Sequence, residues 1–379
     1  MALAQTAAPR PNEAAPIRVM VVDDSAVIRG IFRRTLEADP EIEVVSSANH
    51  GKAAVDSLAR TPVDIILLDI EMPVMDGMTA LPKLLEVDPT VQVIMASTLT
   101  QKNADISFKA LAAGATDYIP KPTAKHEIHS SEGFKRDLLD KVKALAYSER
   151  GGRRPASVAT AAPQSVRPST ASSPSVSKPT LSLRPASITK PEILCIGSST
   201  GGPQALISVL SELAPGFDLP IVITQHMPKT FTGILAQHLG KASQRPSAEA
   251  VDGETVEKGR IYVAPGEKHL LFENNGGRPT LRLDDGAPEN YCKPAVDPML
   301  RSAAPIYKQR LLTVILTGMG HDGREGGRIV VDAGGTVVAQ DEASSVVWGM
   351  PGAVANAGLC SAVIPLGEIA MHINRFVGR

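Results

Sequence analysis

The sequence predicts two α/β units, each a doubly wound and mostly parallel sheet, joined by a flexible segment. Three observations carry that reading. Short apolar runs alternate with helix-periodic stretches twice along the chain, the pattern of β-α-β succession. Runs such as Ile65-Ile-Leu-Leu68 are too uniformly apolar to be half exposed, as strands covered by helices on both sides must be. Between Ser148 and Lys190 the composition turns to Pro, Ser, Ala and Thr with scattered Arg and Lys, and no acidic residue falls between Glu149 and Glu192. Such a segment has little to bury and is expected to be a solvated linker over 148–190. At 379 residues the chain has length for two or three cores.

Composition narrows function before any motif does. A net charge of -1 gives no global pull toward nucleic acid or an anionic membrane, and aromatics at 3% leave little for base stacking. Cys195, Cys292 and Cys360 are odd in number, widely spaced and without C-x-x-C, so neither a disulfide framework nor a zinc site is indicated, and a reducing cytosol is the simplest setting. No apolar run approaches the roughly 20 residues of a membrane helix. Residues 1–16, rich in Ala and Pro, read as a disordered leader without a signal-peptide core.

In the first unit, Ile17 to Val22 is an apolar strand ending in Asp23-Asp24, and Ser25 is placed to cap a helix whose face holds Val27, Ile28, Ile31, Phe32 and Leu36. Ile42 to Ser46, Asp64 to Asp69, Val91 to Ala96 and Ala115 to Ile119 are the further strands, with Lys52 to Leu58 among the intervening helices. The functional crevice of such a sheet lies at the carboxyl ends of its strands. There fall Asp23 and Asp24, Asp69, Ser97 and, after the last strand, Lys121. A lone strand-end Asp is usually a turn former, but carboxylates converging on one spot repel and call for a hard divalent cation, most simply Mg²⁺.

The unit over residues 17–147 resembles a two-component receiver domain, a flavodoxin-like (βα)5 fold, through Val22-Asp-Asp24, Leu68-Asp-Ile-Glu-Met-Pro-Val-Met-Asp-Gly77, Ser97 and Lys121-Pro122. The resemblance implies that Asp69 accepts a phosphoryl group from a histidine kinase and that Asp23, Asp24 and Asp69 hold Mg²⁺. It also implies that Lys121 pairs with the phosphoryl charge, that Ser97 donates to it, and that Tyr118 is the aromatic that changes rotamer with the switch. In-line phosphoryl transfer is largely positioning and charge stabilisation, which fits these residue types.

The second unit, 191–379, has apolar strands at Ile193 to Ile196, Pro220 to Thr224, Ile261 to Ala264, Leu311 to Thr317, Thr336 to Ala339 and Cys360 to Ile364. Helical stretches include Thr230 to Leu239 and Arg324 to Asp332, and a hairpin is expected between Ala264-Pro-Gly-Glu267 and Leu281-Arg-Leu283. After the first strand, Gly197-Ser198-Ser199-Thr200-Gly201 fits G-x-S-x-G, which stands Ser199 on a sharp strand-to-helix bend. A plain Gly/Ser loop or an anion-binding helix N-terminus fits that stretch as well. A serine hydroxyl becomes nucleophilic only when a base takes its proton and a third group orients that base. His226 and Asp322 end two other strands and are the candidates. Gly318-Met-Gly-His-Asp-Gly323, with Asp341 beyond, also fits a dinucleotide fingerprint, but that leaves Ser199 and His226 unexplained. His321 is an alternative base, and His238 and His269 are expected at the surface.

The order Ser, His, Asp differs from that of α/β-hydrolases. It is the order of the chemotaxis protein-glutamate methylesterase (CheB) family, which the chain resembles over almost its whole length. The matching motifs are Ile196-Gly-Ser-Ser-Thr-Gly-Gly202, Ile223-Thr-Gln-His-Met-Pro228, Val263-Ala-Pro-Gly266, Pro294-Ala-Val-Asp297 and Leu316-Thr-Gly-Met-Gly-His-Asp-Gly323. The resemblance implies a triad of Ser199, His226 and Asp322, with Thr200 an adjacent hydroxyl and the Met319 amide an oxyanion donor. Ser198 and Cys292 depart from common family residues, and both are expected to stay clear of the triad.

The same resemblance implies a phosphorylation-activated esterase that demethylates γ-glutamyl methyl esters on chemoreceptor cytoplasmic helices, releases methanol and deamidates receptor glutamines. It would need no cofactor for hydrolysis and act as a cytoplasmic monomer, without nucleic acid or membrane insertion, with a chemotaxis histidine kinase as phosphodonor. The alternatives are the same architecture serving another receptor-like array, and a catalytically silent, receiver-controlled binding module. A serine-directed covalent probe separates that last reading from an enzyme.

Overall fold

The computed structural model describes residues 15–121, 131–149 and 181–378. The expected leader and most of the expected linker lie outside them. The chain divides into two compact units.

The elements of the receiver-like stretch are β1 (Ile17–Val22), α1 (Ala26–Leu36), β2 (Ile42–Ala48), α2 (Gly51–Leu58), β3 (Ile65–Asp69), α3 (Gly77–Val87), β4 (Gln92–Ser97), α4 (Gln101–Ala112), β5 (Asp117–Pro120) and α5 (Ser131–Glu149). The strands form one sheet in the order β2-β1-β3-β4-β5, and every pairing is parallel. Strand order reverses between β1 and β3, which opens a crevice where Asp23 and Asp69 emerge side by side. Ser25 caps α1 as its sequence predicts, its hydroxyl accepting from the Ile28 amide. The buried stripe of α1 is narrower than expected. Phe32, Thr35 and Leu36 are buried, whereas Val27 is 70% exposed. At 3.6 residues per turn Val27 sits about 100° to one side of Ile28, outside that stripe. At the end of β3, a Cβ on Gly77 would stand 2.1 Å from the Asp69 carbonyl oxygen, so only glycine lets α3 start this close to the strand.

The second unit holds β6 (Ile193–Ser198), α6 (Gly202–Ser211), β7 (Ile221–Gln225), α7 (Lys229–Ser243), β8 (Ser247–Glu249), β9 (Ile261–Val263), β10 (His269–Asn275), β11 (Arg278–Asp284), α8 (Val296–Tyr307), β12 (Leu311–Ile315), α9 (Arg324–Asp332), β13 (Thr336–Gln340), α10 (Met350–Asn356), β14 (Ala362–Ile364) and α11 (Leu366–Val377). Seven strands make a parallel sheet in the order β14-β13-β12-β6-β7-β9-β8. The chain fills one side of β6 and then returns to fill the other, so the switch point lies between β6 and β12. Val222, Tyr262, Val296, Met299, Leu300 and Ile315 are among the buried side chains of its core.

The expected hairpin is real but begins later. Its first arm is β10, paired antiparallel with β11 in a two-stranded sheet of its own, because Ala264 still bonds to Ile223 at the parallel sheet. His269 is buried rather than exposed: its Nε2 faces the Ala287 carbonyl at 2.9 Å and its Nδ1 accepts from the Ala295 amide at 3.2 Å. The expected linker ends short of Lys190. The Arg184 amide bonds to the Cys360 carbonyl and the Ser187 amide to Thr336 Oγ1, both at 2.9 Å, while Leu181 packs on the core.

Candidate active site

In the first unit, Asp69 is 2% exposed and Lys121 Nζ lies 2.7 Å from both Asp69 Oδ1 and Asp23 Oδ2. Burial pushes the Asp69 carboxyl up and Lys121 pulls it back, leaving it at about 6. Burial works against charge on Lys121, but the two carboxylates outweigh it and raise the ammonium. Asp69 Oδ2 is buried without a hydrogen-bond partner. Asp23, Asp24 and Asp69 offer oxygens within 4.8 Å of one another, a hard, anionic donor set that fits Mg²⁺. Ser97 ends β4 beside β3, and its carbonyl accepts from the Lys121 amide at 2.7 Å. Tyr118 is buried, with Lys141 Nζ 5.2 Å from its ring centroid, and burial raises its phenol well above the ordinary value.

In the second unit, Ser199, His226 and Asp322 follow β6, β7 and β12, three adjacent strands. The Ser199 amide bonds to the Thr317 carbonyl and the His226 amide to the Ser198 carbonyl, which ties the strand ends together. Gln225 clamps them further: Nε2 donates to the carbonyls of Ser199 and His226, and Oε1 accepts from Ser198 Oγ at 2.6 Å. A Cβ on Gly318 would stand 2.9 Å from both the Ser199 amide nitrogen and its Cβ, and 2.5 Å from Met350 Sδ. The turn carrying Met319 therefore lies against the serine.

His226 Nε2 meets Asp322 Oδ2 at 2.7 Å. Asp322 is saturated besides: Oδ2 accepts from the Val296 amide at 2.6 Å, and Oδ1 from Asn290 Nδ2 and the amides of Asp297 and Gly323. Burial would raise this carboxyl, but His226 and the amides at the start of α8 hold it down to about 2. The neighbouring Asp297 goes the other way, pushed up to about 6 by burial and by the charge of Asp322. Burial likewise opposes charge on His226, yet Cys292 and Asp322 together raise its imidazole well above the ordinary value.

The structure joins His226 to Asp322 but places no Ser199–His226 hydrogen bond among the described residues. The nitrogen that the serine would need is occupied, since Cys292 Sγ stands 3.3 Å from His226 Nδ1. The expectation that Cys292 stays clear of the triad is thereby corrected; the reason is a tight turn that folds Cys292 back over the histidine. Ser198 touches Gln225 instead. Thr200 is buried with Oγ1 unpartnered, and no described group accepts from the Met319 amide. Sequence reasoning missed Asn290 and Gln225 as supports, and it cited Asp297 in a motif without giving it a role.

The family model for CheB methylesterase matches residues 194–373, and that for the response regulator receiver domain matches residues 19–131. The chain is 55% identical, over 96% of its length and 95% of the relative's, to the protein-glutamate methylesterase/protein-glutamine glutaminase of group 2 operon from Rhodospirillum centenum. It is 54% identical to protein-glutamate methylesterase/protein-glutamine glutaminase 1 of Paramagnetospirillum magneticum, over 96% and 97%. Among solved structures, the Thermotoga maritima CheB methylesterase catalytic domain is 42% identical, covering 50% of this chain and 100% of its own, with a TM-score of 0.49.

Proposed function

The chain belongs to the CheB methylesterase family, joined to a response regulator receiver domain, and from that premise we propose that Ser199, His226 and Asp322 carry out its hydrolysis. The activity is that of a protein-glutamate methylesterase and protein-glutamine glutaminase in chemotactic adaptation. The substrates are methylated glutamyl and glutaminyl side chains on the cytoplasmic helices of chemoreceptors.

The observation that carries the assignment is the 2.7 Å contact of His226 with a saturated Asp322 on strands flanking the Ser199 strand. Asp322 accepts from Nε2 and so fixes the tautomer; once the Cys292 thiol gives way at Nδ1, that nitrogen takes the Ser199 proton as the hydroxyl attacks the ester carbonyl. The Met319 amide supports the oxyanion, and the buried, unpartnered Thr200 hydroxyl follows the nucleophile in sequence. The proton on His226 then leaves with methanol, or with ammonia from glutamine. Water frees the glutamyl group from Ser199 by the same route.

In the receiver, the bare Asp69 Oδ2 is the nucleophile toward the phosphohistidine of a chemotaxis kinase, and Lys121 and Ser97 engage the transferred group. Mg²⁺ held by Asp23, Asp24 and Asp69 would offset charge on the phosphoryl oxygens. Phosphorylation raises hydrolysis. Methanol release from methylated receptor, with and without a small-molecule phosphodonor, tests both assignments. Release is expected to vanish in Ser199→Ala and to lose its phosphodonor response in Asp69→Ala. A fully active Ser199→Ala protein would overturn the triad.

A further inference from the structure

Cys292, His226 and Asp322 form a row of their own: Sγ to Nδ1 at 3.3 Å, then Nε2 to Oδ2 at 2.7 Å. Thiol, imidazole and carboxylate stand in the order that activates a cysteine nucleophile. With Nε2 bound to Asp322, Nδ1 is the acceptor at hand for the thiol proton.

The turn that delivers the sulfur is unusual. Glu289 and Cys292 exchange both backbone hydrogen bonds, at 3.1 and 2.9 Å, around Asn290 and Tyr291 with φ of 52° and 63°. Two successive left-handed, non-glycine residues cost backbone energy and persist only where other contacts hold them. Here Asn290 Nδ2 is held 3.0 Å from both Asp297 Oδ2 and Asp322 Oδ1. The turn lies at the surface, with Tyr291 79% exposed and Cys292 half-buried. The other two thiols are shut away. Cys195 is buried in β6 and burial pushes its thiol up; Cys360 is buried beside β14 and is pushed up to about 12 by the same cause.

We propose that Cys292 is a peroxide-reactive thiol whose oxidation to the sulfenic acid switches off hydrolysis by tying up His226 Nδ1. The switch rests on His226 being the base for Ser199, and on the reduced thiol yielding Nδ1 to the serine where the bulkier sulfenic acid does not. In the step, Nδ1 takes the thiol proton and sulfur attacks one peroxide oxygen. An S–O bond forms, the O–O bond breaks, and the departing hydroxide leaves as water with the proton from the imidazolium. Sulfur gives up two electrons and the peroxide is reduced. The sulfenic oxygen adds one heavy atom to a side chain already touching Nδ1. With Cys195 and Cys360 buried elsewhere in the unit, reversal needs an external thiol.

The test treats the full-length protein with hydrogen peroxide, traps sulfenic acid with dimedone in one aliquot, and assays methanol release in another. Peptide mass spectrometry is expected to find one adduct, at Cys292. Release should fall in step with modification, by about 10² at completion, and return with dithiothreitol. Cys292→Ala, or Cys292→Ser should the first fold poorly, is expected to gain no adduct and to keep its own untreated rate through the same exposure. An unmodified Cys292, adducts at Cys195 or Cys360 instead, or full modification with the rate intact would overturn the proposal. His226→Ala separates the two readings. If that protein hydrolyses at the wild-type rate, the base assignment itself falls; if it is inactive while wild type resists peroxide, only the switch falls.

Discussion

Asp69 and Asp322 are buried aspartates at the switch points of two parallel sheets, 2% and 1% exposed, yet one stands at about 6 and the other at about 2. Burial is the largest influence on both, and it acts in the same direction. The difference lies in the donors. Asp322 accepts from His226, Asn290 and the amides of Val296, Asp297 and Gly323, so its charge is fully solvated by the protein. Asp69 has Lys121 on Oδ1 and a long bond from the Glu71 amide at 3.4 Å, with Oδ2 bare and Asp23 nearby. On the proposed roles, a carboxylate that is to attack phosphorus keeps a lone pair uncommitted, while one that is to orient a histidine spends every lone pair on holding still.

The sharpest way to break this contrast is to neutralise each group. Asp322→Asn presents an amide to a ring of N–H donors, and methanol release is expected to fall by about 10³ or more, read from initial rates on methylated receptor. A loss under tenfold would mean that Asp322 does not orient the base. Next in size is the answer of the hungry site to a cation. Mg²⁺ at a hundredfold excess over its dissociation constant should stabilise wild type by about 2.7 kcal/mol, seen as a rise in the melting transition, and Asp23→Asn should lose most of that rise.

Acid sharpens the other side. Asp322 lies below its ordinary 3.8, so its stability contribution is present above that value and drains away as pH falls toward about 2. The loss is of order 2 kcal/mol. Asp297, raised to about 6, has the opposite sign: its contribution is complete below 3.8 and is lost as pH rises through 6. Asp69, also raised to about 6, adds to the same upper window; urea unfolding at pH 2.5, 4 and 7 separates the lower window from this shared upper one, and Asp322→Asn should flatten the lower one. The smallest effect is expected at Asn290→Ala, which removes one of several donors to Asp322 and should lower release by about tenfold. An unchanged rate there would mean that the backbone amides suffice.

Where most of the candidate residues lie was legible because strand ends are legible. Once Ile17 to Val22, Asp64 to Asp69 and Leu311 to Thr317 read as apolar strands, Asp23, Asp69 and the approach to Asp322 follow from where the apolar runs stop. Cys292 was not legible in that way. Its contact with His226 depends on Asn290 and Tyr291 both turning left-handed, and Glu289-Asn-Tyr-Cys292 carries no glycine to signal it. His269 was misjudged for a related reason, since a histidine that holds a remote amide such as Ala295 looks locally like any strand-end polar residue. The placement of Val27 failed on a single helical step.

The close approach at Gly318 limits how this hydrolase can diversify. A Cβ at 318 would meet Met350 Sδ at 2.5 Å and Ser199 at 2.9 Å, so any substitution there forces Met350, Ser199 or the turn itself to shift. Sequence change at this glycine therefore comes at the expense of the packing around Ser199. Variation meets less resistance at Tyr291, whose side chain is 79% exposed.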